Sequence, residues 1–295
     1  MPDAADWQIL DSDREFFARE LDSFVPQRVF DAHAHLYDMD HFNGDLPVAT
    51  RTGPRRATMA EFLSRIDQIH PGRQCDGLFF GFPKIGSDME AANRFLAAEV
   101  RTRPQSRAQM LIEPAMDPEY IRETVKREGF VGLKCYHVYS VSKPTFESPV
   151  QDFLPEPHVR LAHEEGLSIT LHMVRARAMA DPLNQEIIRA WALKYPNMKW
   201  ILAHAARGFN PHHTIEGIGA LKGLRNVWCD TSAVTDSGAF EAIVRTLGVD
   251  RLMYGADFPI SHLRGRCIAI GDTFHWLSRD NTKFEANYAD MTPGL

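Results

Sequence analysis

Two histidines separated by a single residue, His33 and His35, follow a short apolar run that has the character of a β-strand, Arg28–Phe30. Because successive side chains of a strand point to opposite faces, His33 and His35 should project to the same side. Two imidazoles aimed at one spot can hold a divalent ion such as Zn²⁺ through nitrogens about 2 Å from the metal. A hydrogen-bonded pair of histidines at a strand end would show the same pattern, so this motif alone leaves both interpretations open.

Short apolar runs alternate with longer amphipathic segments along the chain. The predicted strands are Val29–Ala32, Gly77–Gly81, Ala108–Ile112, Val131–Tyr136, Ser168–Leu171, Trp200–Ala203, Val227–Cys229 and Leu252–Tyr254. The predicted helices are Thr58–Ile69, Asp88–Val100, Pro118–Glu128, Pro157–Glu165, Asn184–Lys194, Thr214–Leu221 and Phe240–Leu247. Apolar strands that alternate with helices are typical of a parallel sheet covered by helices.

Eight such units without a change of composition predict an α/β fold, a single-domain (β/α)₈ TIM barrel over residues 1–295. A doubly wound open sheet is the alternative, but no predicted strand leads into a glycine-rich phosphate loop. Residues 280–295 show no helical periodicity. We therefore expect the eighth helix to be short, disordered or absent, and the sequence leaves open whether the chain is complete at its C-terminus.

Polar side chains stand at the ends of five of the predicted strands. They are His33 and His35 on the first strand, Lys134 on the fourth, His172 on the fifth, His204 on the sixth and Asp257 after the eighth. In a barrel the carboxyl ends of all strands converge on one mouth, where barrel enzymes build their active sites. Residues far apart in the sequence should therefore become neighbours there.

This arrangement resembles the amidohydrolase superfamily, and most closely its amidohydrolase-2 branch, which contains metal-dependent hydrolases and decarboxylases. The resemblance rests on Asp31-Ala32-His33-Ala34-His35, Leu171-His172, Leu202-Ala203-His204 and Tyr254-Gly255-Ala256-Asp257-Phe258-Pro259. It implies a divalent metal, for which we expect one Zn²⁺, held by His33, His35, His172 and Asp257. It also implies that His204 is a catalytic or second-metal residue.

The residue types suit this chemistry. Neutral imidazoles do not cancel the charge of Zn²⁺, so the ion can lower the pKa of a bound water toward 7. Asp257 could take a proton from that water and pass it to the leaving group, while His204 could polarise the substrate or stabilise negative charge. We therefore expect a metal-dependent hydrolase of a small amide, lactone or related ester. A decarboxylase of an aromatic or unsaturated carboxylic acid is the main alternative, and a catalytically inert barrel used for binding is a third.

Three further residues are candidates for substrate binding. Lys134 could bind a substrate carboxylate, be carbamylated and bridge a second metal, or be a buried ion-pair partner; we expect the first. Tyr136 shares the strand face of Lys134, one layer nearer the mouth. Arg207, three residues after His204, could hold a carboxylate bidentately, although an exposed surface arginine is the simpler interpretation.

Composition narrows the range of partners. The net charge is −6 and no basic run occurs, so we expect no nucleic acid or anionic membrane surface as partner. No apolar run is long enough to span a membrane. The four cysteines are scattered, which indicates the reducing cytoplasm rather than a disulfide-linked or cysteine-ligated fold. We expect a small-molecule substrate, and the sequence leaves open whether the chain forms a homo-oligomer.

Overall fold

The centre of the fold is a sheet of eight parallel strands, each paired with the next along the chain. In the computed structural model, which describes residues 9–44 and 53–278, the strands have the following bounds. They are β1 Arg28–His35, β2 Gln74–Phe80, β3 Arg107–Leu111, β4 Gly132–Tyr136, β5 Ser168–His172, β6 Lys199–Leu202, β7 Val227–Asp230 and β8 Leu252–Met253. This order confirms the predicted single-domain barrel and excludes the open, doubly wound sheet.

A helix follows each of the first seven strands. These helices are α1 Met59–Ile69, α2 Met89–Arg101, α3 Pro118–Glu128, α4 Glu156–Glu164, α5 Pro182–Lys194, α6 Pro211–Gly217 and α7 Ser237–Leu247. A short N-terminal helix, Asp11–Phe16, continues as one π-helical turn, Phe17–Leu21, ahead of β1.

Local sequence signals explain where the helices begin and end. The Asp117 carboxylate accepts hydrogen bonds from the Glu119 and Tyr120 amides, and Pro118 occupies the first turn, so α3 starts there. Gly129 ends α3 in a left-handed conformation, with φ of 78°. The largest boundary error concerns α6. It begins at Pro211, capped by the Asn210 side chain, rather than at the predicted Thr214.

The barrel closes where β1 meets the segment that follows β8, a region we call the seam. Backbone hydrogen bonds cross it from both sides, and one isolated β-bridge pairs Ala34 with Phe258. The bonds run from Ala32 N to Tyr254 O at 2.8 Å, from His35 N to Phe258 O at 2.8 Å and from Asp257 N to His33 O at 2.7 Å. The first and last parts of the barrel are therefore held together at the level of the predicted site.

A buried carboxylate reinforces the seam. One oxygen of Asp31 accepts hydrogen bonds from the His33 amide and from the Ala256 amide, both at 2.9 Å. Its other oxygen has no hydrogen-bond partner among the described residues. Burial raises the pKa of Asp31 to about 7, and the two amide bonds oppose that rise.

An antiparallel hairpin occupies the region after β8, where a regular (β/α)₈ barrel has its eighth helix. Its strands are β9 Gly265–Ile270 and β10 Thr273–Ser278, and a single 3-10 turn, Ile260–His262, precedes it. Residues 254–278 contain no α-helix. The expectation for residues 280–295 lies outside the described residues.

Two further expectations concern composition. Cys75, Cys135, Cys229 and Cys267 are all buried and unpaired. No helix in residues 9–44 or 53–278 combines the length and apolar character that a membrane span requires.

The close contact between Gly255 and His33 provides a test of the seam. A Cβ atom at Gly255 would lie 2.9 Å from His33 Cβ, whereas a Cβ at Gly219, in the turn after α6, would have open space. Gly255→Ala should therefore lower the free energy of unfolding by about 1–3 kcal/mol, and Gly219→Ala should not. Urea denaturation of both variants measures this difference. Equal stabilities would show that the seam relaxes freely around His33.

Candidate functional site

Three of the predicted metal ligands meet at the seam. His33 Nε2 and His35 Nε2 lie 3.4 and 3.3 Å from the same carboxylate oxygen, Asp257 Oδ1. All three side chains are almost completely buried. The alternation of β1 aims both imidazoles into the barrel, and the seam hydrogen bonds bring Asp257 against them. We call these residues the seam triad.

Hydrogen bonds fix the orientation of both imidazoles. His33 Nδ1 lies 2.9 Å from Asp230 Oδ2, and His35 Nδ1 lies 3.1 Å from the Gly81 carbonyl oxygen. These partners are acceptors, so each Nδ1 carries the proton and each Nε2 directs a lone pair toward Asp257. His33 Nε2 is buried and has no hydrogen-bond partner among the described residues.

The seam triad fits a divalent metal. Two ligands that are each about 2 Å from a tetrahedral ion lie about 3.3 Å from one another, which matches the observed spacings. An oriented, unpartnered imidazole nitrogen beside a carboxylate is the donor set that Zn²⁺ and similar ions prefer. A second cluster, His33, His204 and Asp230, also has its candidate ligand atoms within 4.8 Å of one another, but His33 Nδ1 and Asp230 already form a hydrogen bond there.

His172, the remaining predicted ligand, lies outside both clusters. Its Nδ1 is 3.0 Å from His204 Nε2, and its Nε2 is 3.5 Å from Arg207 Nη1. A guanidinium can only donate, so His172 Nε2 accepts and its Nδ1 proton is donated to His204. Both of its nitrogens are therefore engaged by side chains in this arrangement.

His204 lies at the site but forms no hydrogen bond with Asp257. Its Nδ1 lies 3.0 Å from the Ser232 carbonyl oxygen and 2.9 Å from Ser232 Oγ. The separation from Asp257 Oδ2 is 3.9 Å. The ring of His204 is thus held between Ser232 and His172, with its centre 4.9 Å from that of the His33 ring.

Sequence reasoning missed Asp230, which organises this side of the site. Besides His33, its carboxylate accepts hydrogen bonds from the His204 amide at 2.9 Å and from Ser232. Asp230 stands directly after the predicted seventh strand, Val227–Cys229, so the rule that identified the other strand-end residues applies to it as well. The role of Asp31 in the seam was also not predicted, although Asp31 belongs to the motif around His33.

Several site residues hold a strained backbone. His204, Ala205, Ala206 and Arg207 have φ between 51° and 59°, and Asp257 has φ of 62°. Residues other than glycine rarely adopt this left-handed conformation, and each costs about 1–2 kcal/mol. Such strain is concentrated where function requires a particular side-chain direction. Here it directs His204 and Arg207 from one short turn toward His172.

Burial decides the ionisation of the site. It lowers the pKa of His33 and His35, and it lowers that of His204 to about 4, so these imidazoles are neutral near pH 7. Burial raises the pKa of Asp257, but the positive charge that His33, His35 and His204 would acquire on protonation outweighs this and leaves the pKa below its usual value. The site therefore combines an ionised carboxylate with neutral imidazoles, the states in which both bind metal.

Lys134 and Tyr136 lie on the inner face of β4, as predicted. Lys134 is completely buried, and its Nζ lies 4.2 Å from the centre of the Phe80 ring and 4.8 Å from that of Tyr136. It has no hydrogen-bond or ion-pair partner among the described residues, so the ion-pair interpretation is not supported. Burial lowers its pKa to about 8. The Tyr136 hydroxyl lies 3.4 Å from His35 Nε2.

A cavity of about 200 Å³ opens beside these groups. Its polar lining residues include His35, His172, His204 and Asp257, and its apolar ones include Phe82, Pro83, Val138 and Ile260. Tyr136 and His137 complete the lining.

Solved structures with the same fold include hydrolase and decarboxylase relatives. Amidohydrolase 2 from Bifidobacterium longum subsp. infantis is 16% identical, with a TM-score of 0.55 over 79% of this chain and 85% of that one. A Pseudomonas putida protein proposed to be a 2-pyrone-4,6-dicarboxylic acid hydrolase is 20% identical, with a TM-score of 0.54 over 80% and 84%. A dihydroxybenzoic acid decarboxylase from Polaromonas sp. JS666, solved with bound manganese, is 18% identical, with a TM-score of 0.50 over 79% and 86%.

These identities are too low to transfer an activity and show the fold alone. A comparison with curated proteins gives no match. The family model described as amidohydrolase, Amidohydro_2, matches residues 30–274, a range that runs from β1 to β10 and includes every predicted site residue. The chain therefore belongs to the amidohydrolase-2 family, whose members are enzymes.

Proposed function

We propose that this protein is a metal-dependent hydrolase that acts on a small carbonyl compound, such as an amide, a lactone or a related ester. The seam triad carries the proposal, because two oriented imidazole nitrogens and a carboxylate oxygen converge at metal-ligand spacing. An inert barrel would have no physical need for such a cluster. The buried, unpaired cysteines fit the cytoplasm as its compartment.

We assign one Zn²⁺ to His33, His35 and Asp257, with His172 as a fourth ligand. When bound, the ion would lower the pKa of a water and polarise a substrate carbonyl. His172 would first have to exchange its contacts with Arg207 and His204 for the metal. We further propose that Lys134 is unmodified, so that it does not bridge a second ion.

Asp257 is the proposed acid–base residue. Its Oδ1 faces the two metal-binding imidazoles, while its Oδ2 is directed toward His204 and borders the cavity. An ionised carboxylate in this place can accept a proton from the attacking water and return it to the leaving group. The proposed role of His204 is to stabilise negative charge that develops on the substrate.

Lys134, Tyr136 and Arg207 are the proposed substrate-binding residues. The ammonium of Lys134 has no hydrogen-bond or ion-pair partner within the part of the chain that the structure describes, so it can stabilise an anionic group of the substrate. Tyr136 lines the cavity beside His35. Arg207 lies behind His172, at the edge of the site.

Decarboxylation of an aromatic or unsaturated acid is the second candidate. The fold similarity to the Polaromonas decarboxylase favours it. So do Lys134 and Arg207, which have no carboxylate partner among residues 9–44 and 53–278. In that reaction Lys134 and Arg207 would orient the departing carboxylate and stabilise the charge that remains, and no water would be incorporated.

Metal content tests the proposed ligands. After incubation with Zn²⁺ or Mn²⁺ and desalting, the wild type should retain about one equivalent of metal. His33→Ala should abolish this retention, His172→Ala should weaken it, and His275→Ala, on the exposed face of the hairpin, should leave it unchanged. If the wild type retains no metal, the proposed function is wrong. If His172→Ala retains the full amount, only the assignment of His172 as the fourth ligand is wrong.

Asp230 provides a test of how His33 is oriented. Asp230→Asn keeps the shape of the side chain but replaces one carboxylate oxygen with an NH₂ group. That group can face His33 Nδ1 as a donor, where Asp230 offers an acceptor. Loss of such a partner typically weakens metal binding by about 10- to 100-fold. Competition with a fluorescent zinc chelator measures the change, with Asp250→Asn on the surface as control. An unchanged affinity would show that Asp230 does not orient His33.

Isotope labelling separates hydrolysis from decarboxylation. Turnover of lactones, amides and aromatic acids in H₂¹⁸O should place label in the product if the enzyme is a hydrolase. Asp257→Asn should then lose several orders of magnitude in kcat, beyond any loss of metal measured on the same sample. Release of CO₂ with no label in the organic product would instead establish the decarboxylase.

A further inference from the structure

The turn from His204 to Arg207 holds four consecutive residues in the left-handed conformation. Side chains other than glycine meet a steric cost there, so such a turn persists only when surrounding contacts oppose its relaxation. Two of these contacts act on its first half. The His204 amide donates to the Asp230 carboxylate at 2.9 Å, and the Ala205 carbonyl oxygen accepts from Thr214 Oγ1 at 2.8 Å. The second half of the turn needs a support of its own.

The hairpin β9–β10 supplies contacts just beyond the turn. Asn210, which is completely buried, donates from its side-chain amide to the Gly271 and Thr273 carbonyl oxygens at 3.1 and 3.0 Å. The Cys267 thiol donates to the Phe209 carbonyl oxygen, with a sulfur–oxygen distance of 3.4 Å. The chain that leaves the turn is therefore fixed to both strands of the hairpin and to its tip.

The Phe209 ring connects the hairpin to His204. Its centre lies 5.2 Å from that of Phe274 and 5.4 Å from that of Trp276, two residues that share one face of β10. The centre of the His204 ring is also 5.2 Å from that of Phe209, and the two planes are tilted by 30°. Aromatic rings at these separations attract one another. Loss of the hairpin rings should therefore free the Phe209 ring and, with it, the His204 ring.

The hairpin also holds the connection between β7 and α7. Thr235 Oγ1 accepts a hydrogen bond from the Cys267 amide at 3.0 Å and donates one to the Cys267 carbonyl oxygen at 3.1 Å. Three residues before Thr235, the Ser232 carbonyl oxygen accepts the Nδ1 proton of His204 at 3.0 Å. The hairpin is thus bonded to both connections that contact the His204 ring.

We propose that the hairpin is a clamp that positions His204, with Phe209 and Trp276 as its positioning residues. The clamp keeps the His204 proton on Nδ1, facing the Ser232 carbonyl oxygen, and keeps Nε2 as the acceptor toward His172. A functional side chain needs such support from packing and hydrogen bonds, because a small misplacement lowers reactivity steeply. The inference rests on the proposed function for the role of His204, whereas the way in which His204 is held follows from these contacts alone.

The tautomer of His204 tests the clamp without any substrate. In the full chain labelled with ¹⁵N-histidine, a long-range ¹H–¹⁵N correlation spectrum reports which ring nitrogen carries the proton. The signals of His204 are those absent from His204→Gln. The wild type should show one tautomer, protonated on Nδ1. Trp276→Leu and Phe209→Leu should shift the two nitrogen signals toward a common value, because a released ring exchanges between both tautomers in water.

Two other variants of the hairpin should keep the wild-type tautomer. Trp276→Phe retains an aromatic ring against Phe209, and Ile270→Ala changes an exposed side chain of the same hairpin. A changed tautomer in Ile270→Ala would overturn the assignment of the clamp to the aromatic contact.

Amide hydrogen exchange separates positioning from general stability. The amides of His204, Gly208 and Ser232 form hydrogen bonds of 2.9, 2.6 and 3.1 Å. In Trp276→Leu these amides should exchange at least about ten-fold faster, as expected for a local opening, while the amides of β1 to β5 keep their wild-type rates.

Phe209 is buried and Trp276 is half-buried, so Trp276→Leu decides the test if Phe209→Leu fails to fold. An unchanged His204 tautomer in folded Trp276→Leu, or an acceleration of exchange that is uniform over the barrel, would overturn the clamp. A wild type that populates both tautomers would overturn it as well. If the wild type shows the expected tautomer but binds no metal, the proposed function is contradicted and the clamp stands.

Discussion

Closure of the barrel is the constraint on which the site depends. The strand that carries His33 and His35 lies at one end of the sheet in sequence, and the segment that carries Asp257 lies at the other. Backbone hydrogen bonds join the two, and Asp31 adds a bond to the Ala256 amide. A change that opens this junction would therefore separate the candidate ligands before it disturbed any other strand pair.

The strands and the residues at their carboxyl ends could be predicted from the sequence, because each follows from a simple rule. A buried parallel strand reads as a continuous apolar run, and its carboxyl end must face the mouth. His33, His35 and Asp257 follow directly from that rule. Asp230 stands directly after the predicted seventh strand and satisfies the same rule, although it was not identified from the sequence.

The remaining features depend on contacts that no local pattern contains. The direction of His172 is set by its contacts with Arg207 and His204. Both residues lie in a left-handed turn that the alanine-rich sequence of this segment does not predict. The hairpin β9–β10 likewise owes its place to packing on Phe209 and to the Asn210 side chain. The region after β8 lacked helical periodicity, and only the folded chain shows what replaces the helix.

In the left-handed turn from His204 to Arg207, the stability of the folded state and the restriction of the turn to one conformation make opposite demands on the residue types. Glycine at Ala205 or Ala206 would adopt the same backbone angles with less steric cost, so the folded state should tolerate or even favour it. The same freedom would let the turn adopt other conformations, and the side chains of His204 and Arg207 at its two ends would lose their common direction. Alanine at these positions therefore lowers the thermodynamic stability somewhat but restricts the turn to fewer conformations. Substitutions in this loop that raise the thermal stability would widen that range of conformations.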